Sequence, residues 1–141
     1  MNELYIDATD QILGRMASRV AKRLLKGDKI FIVNAEKTIV SGKPQVVFDI
    51  YKARISRGDP YNGPFYPNVP DMMVKRTVRG MLPKGPRGRE TLKRLRVFLS
   101  VPEELKNKKF EKIKEAENNL THKYVELREV SRVVSGRKIG N

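Results

Sequence analysis

The first quarter of the chain has the pattern of a strand, a helix and a second strand, and this pattern constrains the fold more than any other feature. Residues 4–7 are apolar and β-prone, and the periodicity then becomes helical over about residues 13–26, ending at Gly27. Residues 30–34 form a continuous apolar run, which is typical of a strand covered on both faces. The pattern therefore predicts a βαβ unit with a right-handed crossover and a parallel sheet.

The rest of the chain continues this alternation. Residues 38–40 are expected to form a short strand, residues 44–55 and 71–82 helices, and residues 96–101 another strand. With 141 residues and 39% hydrophobic content, the chain can bury a single core. The predicted fold class is α/β: a three-layer α/β/α single domain over residues 1–141, around a small, mostly parallel β-sheet of about four strands.

Two further segments follow Pro102. Residues 103–119 are highly charged and mixed in sign, which predicts an exposed, charged helical excursion with little core. Residues 127–134 carry an apolar stripe, and they predict a final helix that ends near Gly136.

Positive charge is concentrated in the middle of the chain. The formal net charge is +14, and residues 52–96 hold 12 Lys or Arg against three carboxylates. Residues 75–96 alone hold nine Lys or Arg against Glu90, and glycines and prolines interrupt this block. Such a block repels itself unless a polyanion meets it, so it predicts an ordered surface for phosphates.

RNA is the favoured polyanion, because the sequence shows no helix-turn-helix or zinc-finger spacing that would read DNA. Arginine suits the task, since its planar guanidinium makes bidentate contacts with phosphate. A helix is expected to carry Arg76 and Arg79 on one face, and a glycine-flanked loop to carry Arg87 and Arg89, before a short helix over residues 91–95. The predicted basic, Gly/Pro-rich RNA-binding region spans residues 54–96. Its candidate contacts are Arg76, Arg79, Arg87, Arg89 and Arg94, with Lys75, Lys84, Lys93 and Arg96 assisting and Arg54 and Arg57 extending the surface.

The first helix offers a second cationic face. Arg15, Arg19, Lys22 and Lys26 follow i, i+4, i+7, i+11 spacing, opposite the apolar face of the helix. This face is either a solvated helix surface or a second RNA contact. Arg15 and Arg19 are the candidate residues for the second alternative.

The loop over residues 56–70 is rich in proline and glycine and contains Tyr61, Phe65 and Tyr66. Long loops of this kind are commonly functional. The three rings either stack on unpaired bases or pack the loop against its own domain.

Enzymatic chemistry finds little support in the sequence. There is no G-x-G-x-x-G after the first strand, and the segment 41–43 fails as a P-loop because Lys37 and Pro44 occupy required positions. With no cysteine and His122 as the single imidazole, the chain lacks the pattern of a metal site or a thiol nucleophile. We expect no catalytic residue, no cofactor and no metal, and a nucleotide-binding enzyme is the less favoured alternative.

No membrane segment is expected. No part of the sequence approaches the roughly 18 consecutive apolar residues of a spanning helix. The amino terminus also lacks a basic region followed by an apolar run. The expectation is a cytoplasmic protein without a membrane partner.

Four separated motifs resemble the universal large-subunit ribosomal protein thirteen family. They are GRMAS with AKRLLKG at residues 14–27, VNAEK at 33–37, RTVRGMLP at 76–83 and RLRV at 94–97. The resemblance covers most of the chain in order. It implies a three-layer α/β fold and a structural, non-catalytic role in the large ribosomal subunit. In that role the chain would bind and order large-subunit ribosomal RNA during assembly, next to neighbouring large-subunit ribosomal proteins.

The loop over residues 56–67 departs from the bacterial form of this family, which has a His-Ser-Gly-Tyr-Pro-Gly-Gly type of loop there. The sequence looks like an archaeal or eukaryotic form instead. A translational regulator that binds messenger RNA would use the same basic surface, so that alternative stays open.

Overall fold

The structure, a computed structural model, describes residues 2–56, 67–118, 120–121 and 123–134. These ranges contain five strands, five α-helices and three short 3-10 helices at Ala35–Lys37, Glu103–Leu105 and Lys114–Ala116. The elements are β1 (Glu3–Asp7), α1 (Leu13–Leu25), β2 (Lys29–Val33), β3 (Ile39–Ser41), α2 (Pro44–Ser56), α3 (Pro70–Gly80), α4 (Pro86–Leu92), β4 (Leu95–Val97), β5 (Tyr124–Glu126) and α5 (Leu127–Val134).

The strands form two small sheets. β1, β2 and β4 make a parallel sheet with β2 in the centre, where Tyr5 lies opposite Phe31 and Ile30 lies opposite Leu95. β3 and β5 make an antiparallel pair. The predicted βαβ unit, the α/β class and the mostly parallel sheet are confirmed.

The core lies where α1 and α3 pack together against the parallel sheet. Helix α1 buries Met16, Val20 and Leu24, which recur every fourth residue and therefore share one face. Helix α3 buries Met73 and Val78 against them. Because a fully buried aliphatic side chain contributes roughly 1.5–3 kcal/mol, this packing holds α3 firmly and determines which of its residues face outward.

A polar cluster joins the carboxyl ends of β1 and β2. Asp7 Oδ1 accepts hydrogen bonds from Asn34 Nδ2 at 3.0 Å, from Thr9 N at 3.0 Å and from Thr9 Oγ1 at 2.7 Å. Asn34 adopts the left-handed conformation with a φ of 59°, which asparagine tolerates better than most residues. Partial burial by itself raises the pKa of Asp7, but these hydrogen bonds and the charge of Lys112 together lower the pKa below its usual 3.8.

The helical excursion predicted over residues 103–119 is wrong for the described part of that segment. Residues 103–118 contain only two 3-10 turns, and Glu111 pairs with the outer edge of β1. Glu111 N donates to Tyr5 O at 2.8 Å, and Asp7 N donates to Glu111 O at 3.0 Å. Leu105 and Ala116 are buried, so the segment also contributes apolar contacts. An edge strand offers unpaired backbone groups, and pairing with them requires an extended chain rather than a helix.

The final helix forms where the apolar stripe predicts it. α5 begins at Leu127, buries Leu127 and Val130, and packs against α2. Its predicted end near residue 136 lies outside the described residues.

Candidate nucleic-acid interface

Helix α3 presents the first part of the basic block. Its apolar face is buried in the core, which turns Lys75 and Arg79, four residues apart, toward solvent. Arg76 is half-buried at the margin of this exposed face. The helix begins with Pro70 at its first turn and ends at Gly80, so its cationic residues lie in its last two turns.

The next part of the block is helical, whereas the sequence predicts a loop there. Arg87 and Arg89 lie on α4, which begins at Pro86 and ends at Leu92. Proline is well suited to the first turn of a helix, because its fixed φ is already helical and its missing N–H is not needed. Gly85 precedes the helix with a φ of 106°, a conformation that favours glycine.

A close approach between Gly88 and Pro83 fixes the position of α4. A Cβ added to Gly88 would lie 1.8 Å from the Pro83 carbonyl oxygen, a distance that no side chain can occupy. Gly88 therefore allows the helix to pack directly on the preceding turn. Gly88 thus brings the backbone close to its own chain rather than to a partner.

This packing creates a concavity of about 290 Å³ between the end of α3 and α4. Its wall contains three cations from three successive elements: Arg79 from α3, Lys84 from the turn and Arg89 from α4. All three are exposed. Arg79 and Arg89, ten positions apart in the chain, thus line the same concavity, which a phosphate group could enter. We call the exposed cations here, Lys75, Arg79, Lys84, Arg87 and Arg89, the α3–α4 surface.

The remaining predicted contacts of the block differ in exposure and in the partners of their side chains. Lys93 lies 3.6 Å from Glu90 in an exposed ion pair, which contributes little to stability. Arg96 is exposed on β4. Arg94 is half-buried, and its Nη2 donates to Leu24 O at 2.6 Å, at the end of α1. Arg94 therefore ties the β4 end of the block to α1, and this bond uses part of its donor capacity inside the fold.

The candidates outside the block fall on two separate surfaces. Arg15 and Arg54 line a shallow concavity of about 380 Å³ together with Thr77, and the Arg54 guanidinium lies 5.2 Å from the centre of the Tyr51 ring. Arg19, one turn further along α1, lines a different groove between α1 and residues 111–115. Arg15 and Arg19 are both exposed one turn apart on α1, as predicted, but they line different concavities.

Part of the predicted site lies outside the described residues. Arg57 and the aromatic candidates Tyr61, Phe65 and Tyr66 belong to this part.

The fold gives no support to the nucleotide-binding alternative. Gly42 N, which a P-loop would direct at a phosphate, donates instead to Lys123 O at 2.9 Å. Within residues 2–56, 67–118, 120–121 and 123–134, no three His, Asp or Glu side chains converge on a possible metal position. None of the described helices is both long enough and apolar enough to cross a membrane.

The family model and the curated relatives that match this chain point to the same family. The model of the family "Ribosomal protein L13" matches residues 1–104. Among curated proteins, the chain is 50% identical over 138 residues to large ribosomal subunit protein uL13 of Archaeoglobus fulgidus, covering 95% of this chain and 88% of that protein. It is 48% identical to the uL13 of Methanopyrus kandleri (89% and 82% covered) and 46% identical to that of Methanosarcina barkeri (94% and 97% covered).

These three relatives are archaeal, in agreement with the archaeal character of the sequence, and they are similar to this chain well beyond residue 104. The family model and the relatives together confirm the resemblance drawn from the four sequence motifs. The chain belongs to the ribosomal protein L13 family.

Proposed function

We propose that the chain is a non-catalytic structural component of the large ribosomal subunit in the cytoplasm, where it binds large-subunit ribosomal RNA and orders it during assembly. The proposal treats residues 1–141 as one domain, with residues 54–96 as its main RNA-binding region. Family membership supports a structural rather than an enzymatic role. Neighbouring large-subunit ribosomal proteins are its expected protein partners.

The observation that carries the proposal is the convergence of Arg79, Lys84 and Arg89 on one concavity. Each is exposed, and the packing of α3 and the Gly88 contact hold the elements that bear them. When the backbone that bears the cations is already fixed, binding of RNA costs less conformational entropy than it would for cations on a flexible chain. This arrangement favours a defined stretch of RNA backbone over a loose polyanion.

The remaining predicted residues are proposed either as further RNA contacts or as positioning residues. Lys75 and Arg87 complete the α3–α4 surface, and Arg76, Lys93 and Arg96 are proposed as assisting contacts. Arg54 on α2 extends the RNA contact, and Arg57, which lies outside the described residues, is a further proposed contact. For Arg94 we propose a positioning role, because its guanidinium already donates to the end of α1.

The test is titration of the purified protein with large-subunit ribosomal RNA fragments at near-physiological salt, with excess transfer RNA present as competitor. Retained binding to one fragment is the expected result. If the protein neutralises about six phosphates, the log-log slope of affinity against salt concentration is roughly −4 to −5. Equal loss of binding to all fragments would reject a defined RNA site.

A messenger RNA as partner uses the same phosphate chemistry, and phosphate contacts carry no sequence information by themselves. The same titration distinguishes a ribosomal RNA partner from a messenger RNA partner. A ribosomal RNA fragment is then the bound species, and cellular messenger RNA is the competitor. Displacement by messenger RNA at equal concentration would favour the regulatory role over the ribosomal one.

A further inference from the structure

A second cationic groove lies between α1 and residues 111–115, two segments far apart in the sequence. Its volume is about 410 Å³. Leu4 and Ile113, both partly buried, contribute apolar surface to the groove. The cations that line it are Arg19, Lys22, Arg23, Lys26, Lys112 and Lys114. The sequence identifies the α1 cations as one face of a helix, but it gives no sign that Lys112 and Lys114 meet them.

The groove has an excess of positive charge that the described part of the chain does not neutralise. Six cations line it against two carboxylates, Glu111 and Glu115. Arg23 Nε forms an ion pair with Asp28 at 3.0 Å, and the charge of Lys112 acts on the Asp7 carboxylate and helps to lower its pKa. Within the described ranges, the other groove cations have no carboxylate within ion-pair distance. Like charges three or four residues apart on one helix repel by a few tenths of a kcal/mol per pair. An anionic partner would remove this repulsion.

We propose that this groove binds the backbone of a second RNA segment, separate from the segment on the α3–α4 surface. The proposal rests on the proposed function, because it assumes that RNA is the partner. The described lining contains no aromatic side chain on which a base could stack, which favours contacts with the RNA backbone. Four of the six cations are lysines, whose ammonium groups act as point charges toward phosphates.

The cations of α1 are spread along the helix rather than gathered at one point. Arg19 and Lys26 are seven residues apart, which corresponds to about 10 Å along a helix, so the row can follow an RNA backbone.

Two bound RNA segments would be held at a fixed separation. Arg94, in the basic block, donates to Leu24 O at the end of α1, and α4 packs against α1. The groove and the α3–α4 surface therefore share one rigid helix. A protein with this arrangement can order RNA by holding two segments together, which a single patch cannot do.

The absence of cysteine makes a direct test possible, since each introduced cysteine is unique. Three matched variants each replace one exposed carboxylate: Glu115→Cys at the groove, Glu90→Cys on α4 and Asp49→Cys on α2 as control. An iron chelate attached to the thiol generates hydroxyl radicals that cleave nearby RNA. The full-length proteins are bound to large-subunit ribosomal RNA, and the cleaved nucleotides are mapped by primer extension.

The expected result is cleavage of two different RNA segments from positions 115 and 90, and of neither from position 49. Adding Lys22→Gln and Lys26→Gln to the Glu115→Cys variant should reduce cleavage of its segment at least fivefold. The same two substitutions in the Glu90→Cys variant should leave its cleavage pattern unchanged.

The other outcomes separate this inference from the proposed function. Cleavage from position 90 without cleavage from position 115 overturns the groove proposal and leaves the proposed function standing. Cleavage from neither position counts against the proposed function itself. Cleavage from position 115 that survives the lysine substitutions means that the groove does not bind the RNA. In assembled subunits, a photo-crosslinker at position 115 that captures a protein instead of RNA assigns the groove to an acidic peptide and overturns the proposal.

Discussion

Residues 70–92 and residues 103–118 are both rich in charge, yet the fold holds them in opposite ways. The first segment forms two helices, anchored by buried side chains such as Met73 and Val78 and by the contact of Gly88 with Pro83. The second forms no α-helix, and backbone hydrogen bonds to the edge of β1 attach it. The comparison shows that a block of single-sign charge becomes an ordered surface when apolar packing fixes its backbone.

This difference predicts which substitutions should affect the stability of each segment and which should affect RNA affinity. Packing should dominate the stability of the α3–α4 region, and polar contacts near Asp7 should dominate that of residues 103–118. RNA affinity should respond to changes in the first region far more than to backbone changes in the second.

The largest expected effect is that of Gly88→Ala. Its Cβ would lie 1.8 Å from the Pro83 carbonyl oxygen, so α4 or the preceding turn must move. Overpacking of this kind should lower the free energy of unfolding by about 3 kcal/mol. Urea unfolding measures the loss, and RNA affinity should fall with it because Arg89 is displaced.

Gly80→Ala is the matched control for this change. A Cβ at Gly80 meets nothing within 4 Å, so stability should stay equal or rise slightly. Equal stability of the two alanine variants would mean that the Gly88 contact does not hold α4.

The next largest effect is expected for the double variant Arg79→Gln and Arg89→Gln. Loss of two charged contacts with phosphate should weaken binding of a large-subunit RNA fragment by about 2 kcal/mol, or roughly thirtyfold in Kd. Both side chains are exposed, so thermal unfolding should change little. A control with Lys106→Gln and Lys109→Gln removes the same charge from exposed positions of the other segment. If both variants lose affinity equally, net charge rather than the α3–α4 surface determines binding.

A smaller effect should follow from Glu111→Pro. Proline has no N–H, so the hydrogen bond from Glu111 N to Tyr5 O is lost, at a cost of about 1 kcal/mol in unfolding free energy. Affinity for an RNA fragment bound only at the α3–α4 surface should not change. A loss of that affinity would show that the two regions are coupled.

The smallest effect concerns pH. The folded-state pKa of Asp7 lies below its usual value, so its charged form stabilises the protein above pH 4, and this contribution disappears as the pH falls through the folded pKa. Asp7→Asn should therefore be slightly less stable than the parent at pH 7, with a difference that shrinks toward pH 2. Urea unfolding at several pH values measures this difference. A difference that stays constant with pH would mean that the carboxylate charge plays no part.

Sequence periodicity predicted the elements whose residues lie close together in the chain. The apolar repeat of α1 and the run of β2 were sufficient for the βαβ unit, because side-chain spacing reports local backbone geometry. The same approach failed for α4, where Gly85 and Gly88 resemble loop residues although Pro86 starts a helix. It also failed for residues 103–118, because no local signal shows that Glu111 will pair with β1.

By itself, the sequence determined the α/β class, the family and the presence of a basic block, since these depend on composition, periodicity and the order of motifs. Only the tertiary structure decided which cations lie together. It brings Arg79, Lys84 and Arg89 to one concavity, uses Arg94 to tie the basic block to α1, and places Lys112 and Lys114 opposite α1. The physical reason is that electrostatic recognition depends on distances across the folded surface, and packing between remote segments sets those distances.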